Sequence, residues 1–138
     1  MKVFLDANVL VSVLNKEYPS FTYSARILSL SDSSKYKIFT SPLCLAIAFY
    51  FAEKKCGTTL AKQKINLLTE KLYITNLNEK TVLEANKNKK VHDFEDGLQY
   101  YSALDSGCKY IVTENLEDFY FSEIEVLTGR QFLENYVF

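Results

Sequence analysis

Lys2-Val3-Phe4-Leu5-Asp6-Ala7-Asn8-Val9-Leu10 begins as an apolar run and is cut off by an acid. Val3-Phe4-Leu5 reads as a buried strand, and Val9, Leu10, Val13 and Leu14 then recur at helical spacing. Asp6 therefore falls where a strand ends and a helix begins. Working outward, the same alternation repeats. Tyr18-Pro19-Ser20 punctuates, and Thr22–Leu30 carries Ala25, Ile27 and Leu28 as the apolar side of a second helix. Tyr36–Thr40 is a second strand, and Ser41-Pro42 starts a helix with a hydroxyl cap and a proline in its first turn. That helix, from Leu43 to about Lys54, is apolar almost all round, which predicts a central position.

Gly57-Thr58-Thr59 is expected to end it and to cap Leu60–Thr69. Leu72–Thr75 is the third strand, Asn78 caps a helix through about Asn88, and Asp93 caps another that stops at Ser106-Gly107. Tyr110–Thr113 and Ile124–Leu127 complete the strands, and Thr128-Gly129-Arg130-Gln131 is a capping box before the last helix. Strands spaced by helices argue for a mostly parallel α/β sheet of about five strands. No repeat, low-complexity tract or linker divides residues 1–138, so one domain is expected.

In such sheets, ligands sit outside the carboxyl ends of the strands. Three acidic stretches are delivered there: Leu5-Asp6-Ala7-Asn8, Asp93-Phe94-Glu95-Asp96, and Thr113-Glu114-Asn115-Leu116-Glu117-Asp118. Carboxylates gathered at one sheet edge suit Mg²⁺ or Mn²⁺ and chemistry on a phosphate. Ligation by oxygen alone, without thiolate or imidazole, points away from Zn²⁺. Asp6 is the strongest single candidate. Asp93, three residues before another acid, also reads as an ordinary helix cap. Asp118 and Asn115 have equally plain readings as turn residues.

The bulk composition excludes several other classes. The chain has 138 residues, 48% hydrophobic and 24% charged, with a formal net charge of −1. No apolar run approaches the ~20 residues that span a bilayer. An N-terminal apolar stretch interrupted by Asp6 and Asn8 makes a poor signal peptide, so a cytoplasmic location is expected. Cys44, Cys56 and Cys108 are widely spaced and fit neither a disulfide framework nor a zinc site. His92, the sole histidine, lies in a polar stretch and reads as a surface residue. No phosphate-binding glycine loop or dinucleotide fingerprint occurs. A phosphatase with an aspartyl nucleophile would need an acid where Asn8 stands, and a receiver domain needs an acidic pair after its first strand.

The near-zero net charge hides an asymmetry. Residues 54–90 carry nine lysines against three glutamates, whereas residues 93–125 carry nine acids against one lysine. A basic block beside an acidic centre suits a polyanionic substrate, although lysines on amphipathic helices also serve solubility alone.

Taken in order, Val3–Leu10, Thr40-Ser41-Pro42, Phe94–Gln99, Ile111–Phe119 and Val126-Leu127-Thr128 resemble a PIN domain. More narrowly, the chain resembles the small single-domain bacterial members of the VapC-like kind found in toxin–antitoxin pairs. The resemblance implies a three-layer α/β/α sandwich and a Mg²⁺- or Mn²⁺-dependent endoribonuclease acting on RNA. It implies Asp6, Asp96 and Asp118 as catalytic, metal-holding acids, Thr113 and Asn115 as a supporting polar pair, and Asp93 as an accessory acid or cap. A homodimer and a small antitoxin partner are implied as well.

One departure stands out. Such proteins usually carry a Glu near Ala46-Ile47-Ala48, and the chain has no acid there; Glu53 lies on the opposite side of the helix. The alternative reading is therefore a degenerate domain that binds RNA or a protein partner without cutting.

Overall fold

A computed structural model describes residues 1–138. Strands β1 (Lys2–Leu5), β2 (Lys37–Thr40), β3 (Tyr73–Ile74), β4 (Tyr110–Val112) and β5 (Glu125–Leu127) form one sheet in the order β3-β2-β1-β4-β5, every pairing parallel. Helices α1 (Ala7–Leu14), α2 (Ser20–Ser29), α3 (Pro42–Cys56), α4 (Thr58–Thr69), α5 (Glu79–Lys87), α6 (Phe94–Asp105) and α7 (Gly129–Tyr136) make the connections. Parallel strands need crossovers, and crossovers are right-handed. The chain steps from β1 out to β2 and β3, then returns across the sheet to β4. That reversal puts α1–α4 in one layer and α5 with α6 in the other. Helices α1, α2, α3 and α4 pack on one another, α7 packs on α2, and α5 packs on α6. A sheet covered on both faces must be apolar throughout, and Val3, Phe4, Leu5, Ile38, Ile111 and Val112 are all buried.

Strand order reverses at β1, between β2 and β4. This is the point at which an open α/β sheet leaves a crevice beyond its carboxyl edge. Asp6 leaves β1 there, and Thr113 leaves β4.

Helix α3 departs from the expectation that it is central. Its buried residues are Cys44, Ala48 and Ala52, one per turn, while Tyr50 and Phe51 are 51% and 45% exposed. An all-round apolar helix carries no directional signal. Here, small side chains settle the matter by letting α3 lie close against α1, which turns its large side chains outward. The expected threonine cap of α4 is also absent. Gly57, at φ 85°, serves both as the end of α3 and the start of α4, and Thr58 Oγ1 instead donates to Glu53 Oε2 at 2.8 Å. That positive φ suits glycine.

Helix α6 is fixed to the sheet edge by buried polar pairs. The Ser41 hydroxyl caps α3 by accepting from Cys44 N at 3.0 Å and donates to Gln99 Oε1. Ser102 on the next turn of α6 hydrogen-bonds Thr75 and donates to the Asn76 carbonyl at 3.0 Å. On its other side, α6 meets α5 at Gly97. A Cβ there would stand 2.7 Å from Val91 Cγ1 and 3.2 Å from Ala85 Cβ, so the close approach requires glycine. No helix is long and apolar enough to cross a membrane.

Candidate active site

Asp6 is held from several sides. It is the N-cap of α1, and its Oδ1 accepts from Ala7 N at 2.8 Å. Its Oδ2 accepts from Thr113 Oγ1 at 2.8 Å and from Asn8 Nδ2 at 3.3 Å. Beneath it, the buried Cys44 thiol lies 3.9 Å from Oδ1. Thr113 Oγ1 also accepts from Asn8 Nδ2 and from Asn115 N, each at 3.1 Å, and Asn8 Oδ1 accepts from Glu114 N at 3.1 Å. This network ties the end of β1 to the end of β4. It gives the carboxylate one orientation, because each oxygen is occupied by a donor of fixed direction.

Asp96 and Asp118 join Asp6 on the wall of a cleft of about 370 Å³. Asn115 lines it too, with its side chain free, whereas Thr113 lies underneath and acts through Asp6. Asp93 stands back from the cleft. Its Oδ1 caps α6, accepting from Glu95 N at 2.9 Å and Asp96 N at 3.3 Å, so it sets the direction of the turn that carries Asp96. Asp6, Asp96 and Asp118 thus share one cleft, although no three acidic, cysteine or histidine side chains converge closely enough to cage an ion alone.

Two further acids line the cleft: Glu95, beside Asp96, which the second acidic stretch contains without a role of its own, and Glu17, from the loop after α1, which the sequence does not single out. Glu17 follows Lys16, whose φ is 51°. No periodicity in the sequence signals this placement. The helix acid that the resemblance calls for is absent here too: Ile47 and Phe51 form the α3 wall, and Glu53 is bonded to Thr58 outside the cleft.

The charges in this cleft are unbalanced. Lysine and arginine form ion pairs only with Asp32, Glu84, Asp105 and Glu134, none of which lines it. Burial pushes the Asp6 carboxyl above its usual range, opposed by the Thr113 and Ala7 hydrogen bonds and reinforced by Asp118. Asp96 is pushed up to about 7, by burial first and then by Asp93, Asp118, Asp6 and Glu95. Burial and the neighbouring Glu117 and Asp93 raise Asp118. Glu95 is raised by burial, Asp93 and Asp6. Like charges gathered without a counter-ion are costly, and they favour either protons or a cation.

Comparisons with known proteins agree with this architecture. A family model described as PIN domain matches residues 2–117. Ribonuclease VapC1 of Aquifex aeolicus (strain VF5) is 32% identical over 140 residues, covering 98% of this chain and 95% of that protein. Among solved structures, a chain of VapBC2 from Rickettsia felis bound to a DNA fragment from its promoter superimposes with a TM-score of 0.70 at 19% identity, over 92% of this chain and 97% of the other. VapBC-1 from nontypeable Haemophilus influenzae gives a TM-score of 0.68 at 20% identity, over 94% and 99%. The Mycobacterium tuberculosis toxin VapC20, which cleaves the sarcin-ricin loop, gives 0.61 at 14% identity, over 79% and 86%. At these identities the structures speak to the fold alone.

Proposed function

The chain belongs to the PIN domain family, and from that premise we propose that residues 1–138 form one nuclease domain, a Mg²⁺- or Mn²⁺-dependent endoribonuclease and the toxin of a toxin–antitoxin pair. One observation carries the reading: an acidic cleft at the switch point of the sheet, with no cation of the protein's own to balance it. The donor set fits a hard divalent cation, since the polar side chains that line the cleft are all carboxylates and amides and Mg²⁺ keeps several waters beside one or two protein carboxylates. Asp6, Asp96 and Asp118 would hold it. When bound, such an ion makes water nucleophilic at neutral pH and offsets charge on the departing oxyanion.

The remaining residues prepare the site. Thr113 and Asn8 hold Asp6 Oδ2 in place, and the Ala7 amide holds Oδ1. The Asp93 cap and the Ser41–Gln99 bond set where α6 presents Asp96. Asn115 offers an uncharged amide to the substrate side of the cleft. Ile47 and Phe51 form the apolar wall of the cleft.

The proposed partner is a small antitoxin protein, a reading supported by structural neighbours that are VapBC complexes, and a homodimer is proposed as the toxin's own assembly. Tyr50, Phe51 and Leu67 leave apolar surface on α3 and α4 for such contacts. A gene for a small DNA-binding protein immediately upstream, whose product co-purifies with this chain, is the expected finding.

The assignment is tested with purified protein, Mn²⁺ and structured RNAs. Wild type is expected to cleave and Asp6→Asn to lose cleavage. Equal cleavage by both, with contaminants excluded, would sink it. Ile47 at the position of the usual helix carboxylate favours a second reading, a domain that binds RNA without cutting. Saturable RNA and Mn²⁺ binding with no cleavage of any RNA would select that reading.

A further inference from the structure

Next to the acidic cleft is a second, chemically different depression of about 660 Å³, walled by residues 88–92 and 120–123. Its centre is Tyr120, whose ring is 55% exposed. An exposed tyrosine is unremarkable by itself, but this one is immobilised. Its hydroxyl accepts from His92 N at 3.1 Å and donates to the Lys90 carbonyl, so the phenol is pinned at its far end. Phe121 packs edge-on against it at 5.4 Å between centroids, and the His92 ring stands 5.4 Å away at 46°. A flat ring held from two sides, in a residue that stays about half exposed, has already lost the rotamer freedom that a ligand would otherwise have to remove.

The surrounding groups narrow the ligand. Lys89 and Lys90 are exposed, line the depression and form no ion pair. The other polar side chains are mostly occupied: Asn88 donates to Tyr101 OH and accepts from Lys90 N, each at 3.0 Å, and Ser122 donates to the Ile124 carbonyl at 2.7 Å. Glu123 is the sole acid in the lining. Such a surface offers a π face and two cations but few free donors or acceptors for reading a base edge. Stacking with phosphate attraction is how single-stranded nucleic acid is bound without strict sequence preference.

Position relative to the acidic cleft completes the argument. One wall runs directly from His92 into Asp93, the cap of α6; the other runs from Tyr120 back two residues to Asp118. Apart from Lys109, residues 93–125 carry only negative charge, while Lys89 and Lys90, four and three residues before Asp93, place two unpaired cations on the adjoining wall. Building on the ribonuclease reading above, we propose that Tyr120, His92, Lys89 and Lys90 form a nucleotide subsite. A base of single-stranded RNA stacks on Tyr120, and its phosphates lie along the two lysines while the strand enters the acidic cleft.

The test is binding of a short single-stranded RNA carrying a fluorescein or 2-aminopurine label, in the full-length Asp6→Asn background so that no cutting intervenes. Tyr120→Ala is expected to weaken binding about 5- to 100-fold and to abolish the 2-aminopurine quench. Tyr120→Phe keeps the ring but loses the hydroxyl that pins it, and is expected to retain the quench with a smaller loss of affinity than Tyr120→Ala. Replacing Lys89 and Lys90 by Ala should reduce the slope of log affinity against log salt by about 0.7 per lysine. Mn²⁺ affinity and thermal stability should be unchanged in the lysine variant, which separates a contact role from a structural one. Unchanged RNA binding and quench in Tyr120→Ala overturns the subsite, as does a Tyr120→Ala defect confined to capture of a protein partner. If the wild-type chain neither binds nor cleaves RNA, the ribonuclease reading itself falls, a result seen without any Tyr120 variant.

Discussion

Asp96 shows how much one residue's surroundings can store. Its carboxyl is pushed up to about 7 because burial and four neighbouring acids all oppose its charge. A raised carboxyl pKa means that the folded chain holds a proton that the unfolded chain, near its ordinary 3.8, has released. The contribution of Asp96 to stability without metal is therefore greatest at low pH. It falls as pH rises from about 4 to about 7 and levels off above that. A divalent ion takes the proton's place, so Mn²⁺ should raise the melting temperature more at alkaline than at acidic pH. Thermal unfolding across this range checks the sign. Asp96→Asn should flatten the metal-free decline, and an unaltered decline in that variant would assign it to other groups.

At the same scale, Asp6 was the most legible residue in the sequence. An acid directly after a buried strand has few places to go but the sheet edge. Asn8 was harder to see as a site residue, because its two-way bond to Asp6 and Thr113 joins segments 105 positions apart. Tyr120 and His92 were invisible for the same reason: each is ordinary locally, and only the loop return brings them together.

Helix starts were the best-read elements. The caps at Ser41, Asn78, Asp93 and Thr128 all hold, since a side-chain oxygen accepting from the first turn is a local event. What a helix buries is not local, and α3 turned its large residues out where uniform apolarity had promised a central element. The Asp93 cap also makes a separable prediction, because it combines a hydrogen-bond acceptor with a charge. Asp93→Asn keeps the acceptor, so stability should hold, while the pH-linked decline shifts to lower pH as Asp96 loses a repelling neighbour. Asp93→Ala removes both and should cost about 1 kcal/mol in urea unfolding. Equal destabilisation by the two variants would contradict this division.

Across the whole molecule, the basic block read from residues 54–90 is several surfaces. Lys55 and Lys64 donate to the carbonyls of Asn15 and Leu14, bracing the end of α1. Lys71 and Lys80 are paired with Asp32 and Asp105, and Lys54 sits over the Tyr50 ring. Lys62, Lys87, Lys89 and Lys90 form no ion pair, and Lys89 and Lys90 adjoin the acidic cleft by way of Tyr120. The nine lysines of that block therefore do not make one surface, and Lys89 and Lys90 are the two that line the depression beside the acidic cleft.

The molecule's organisation rests on one claim, that its unbalanced carboxylates hold a divalent cation. Calorimetric titration of Mn²⁺ into the full chain tests this most directly. The account predicts saturable binding in wild type, weakened roughly tenfold or more by Asp6→Asn, Asp96→Asn or Asp118→Asn, since affinity follows ligand charge. Glu53→Gln, on the far side of α3, should leave it unchanged. Absent binding at millimolar Mn²⁺, or equal affinity in wild type and all three Asp variants, would contradict the account.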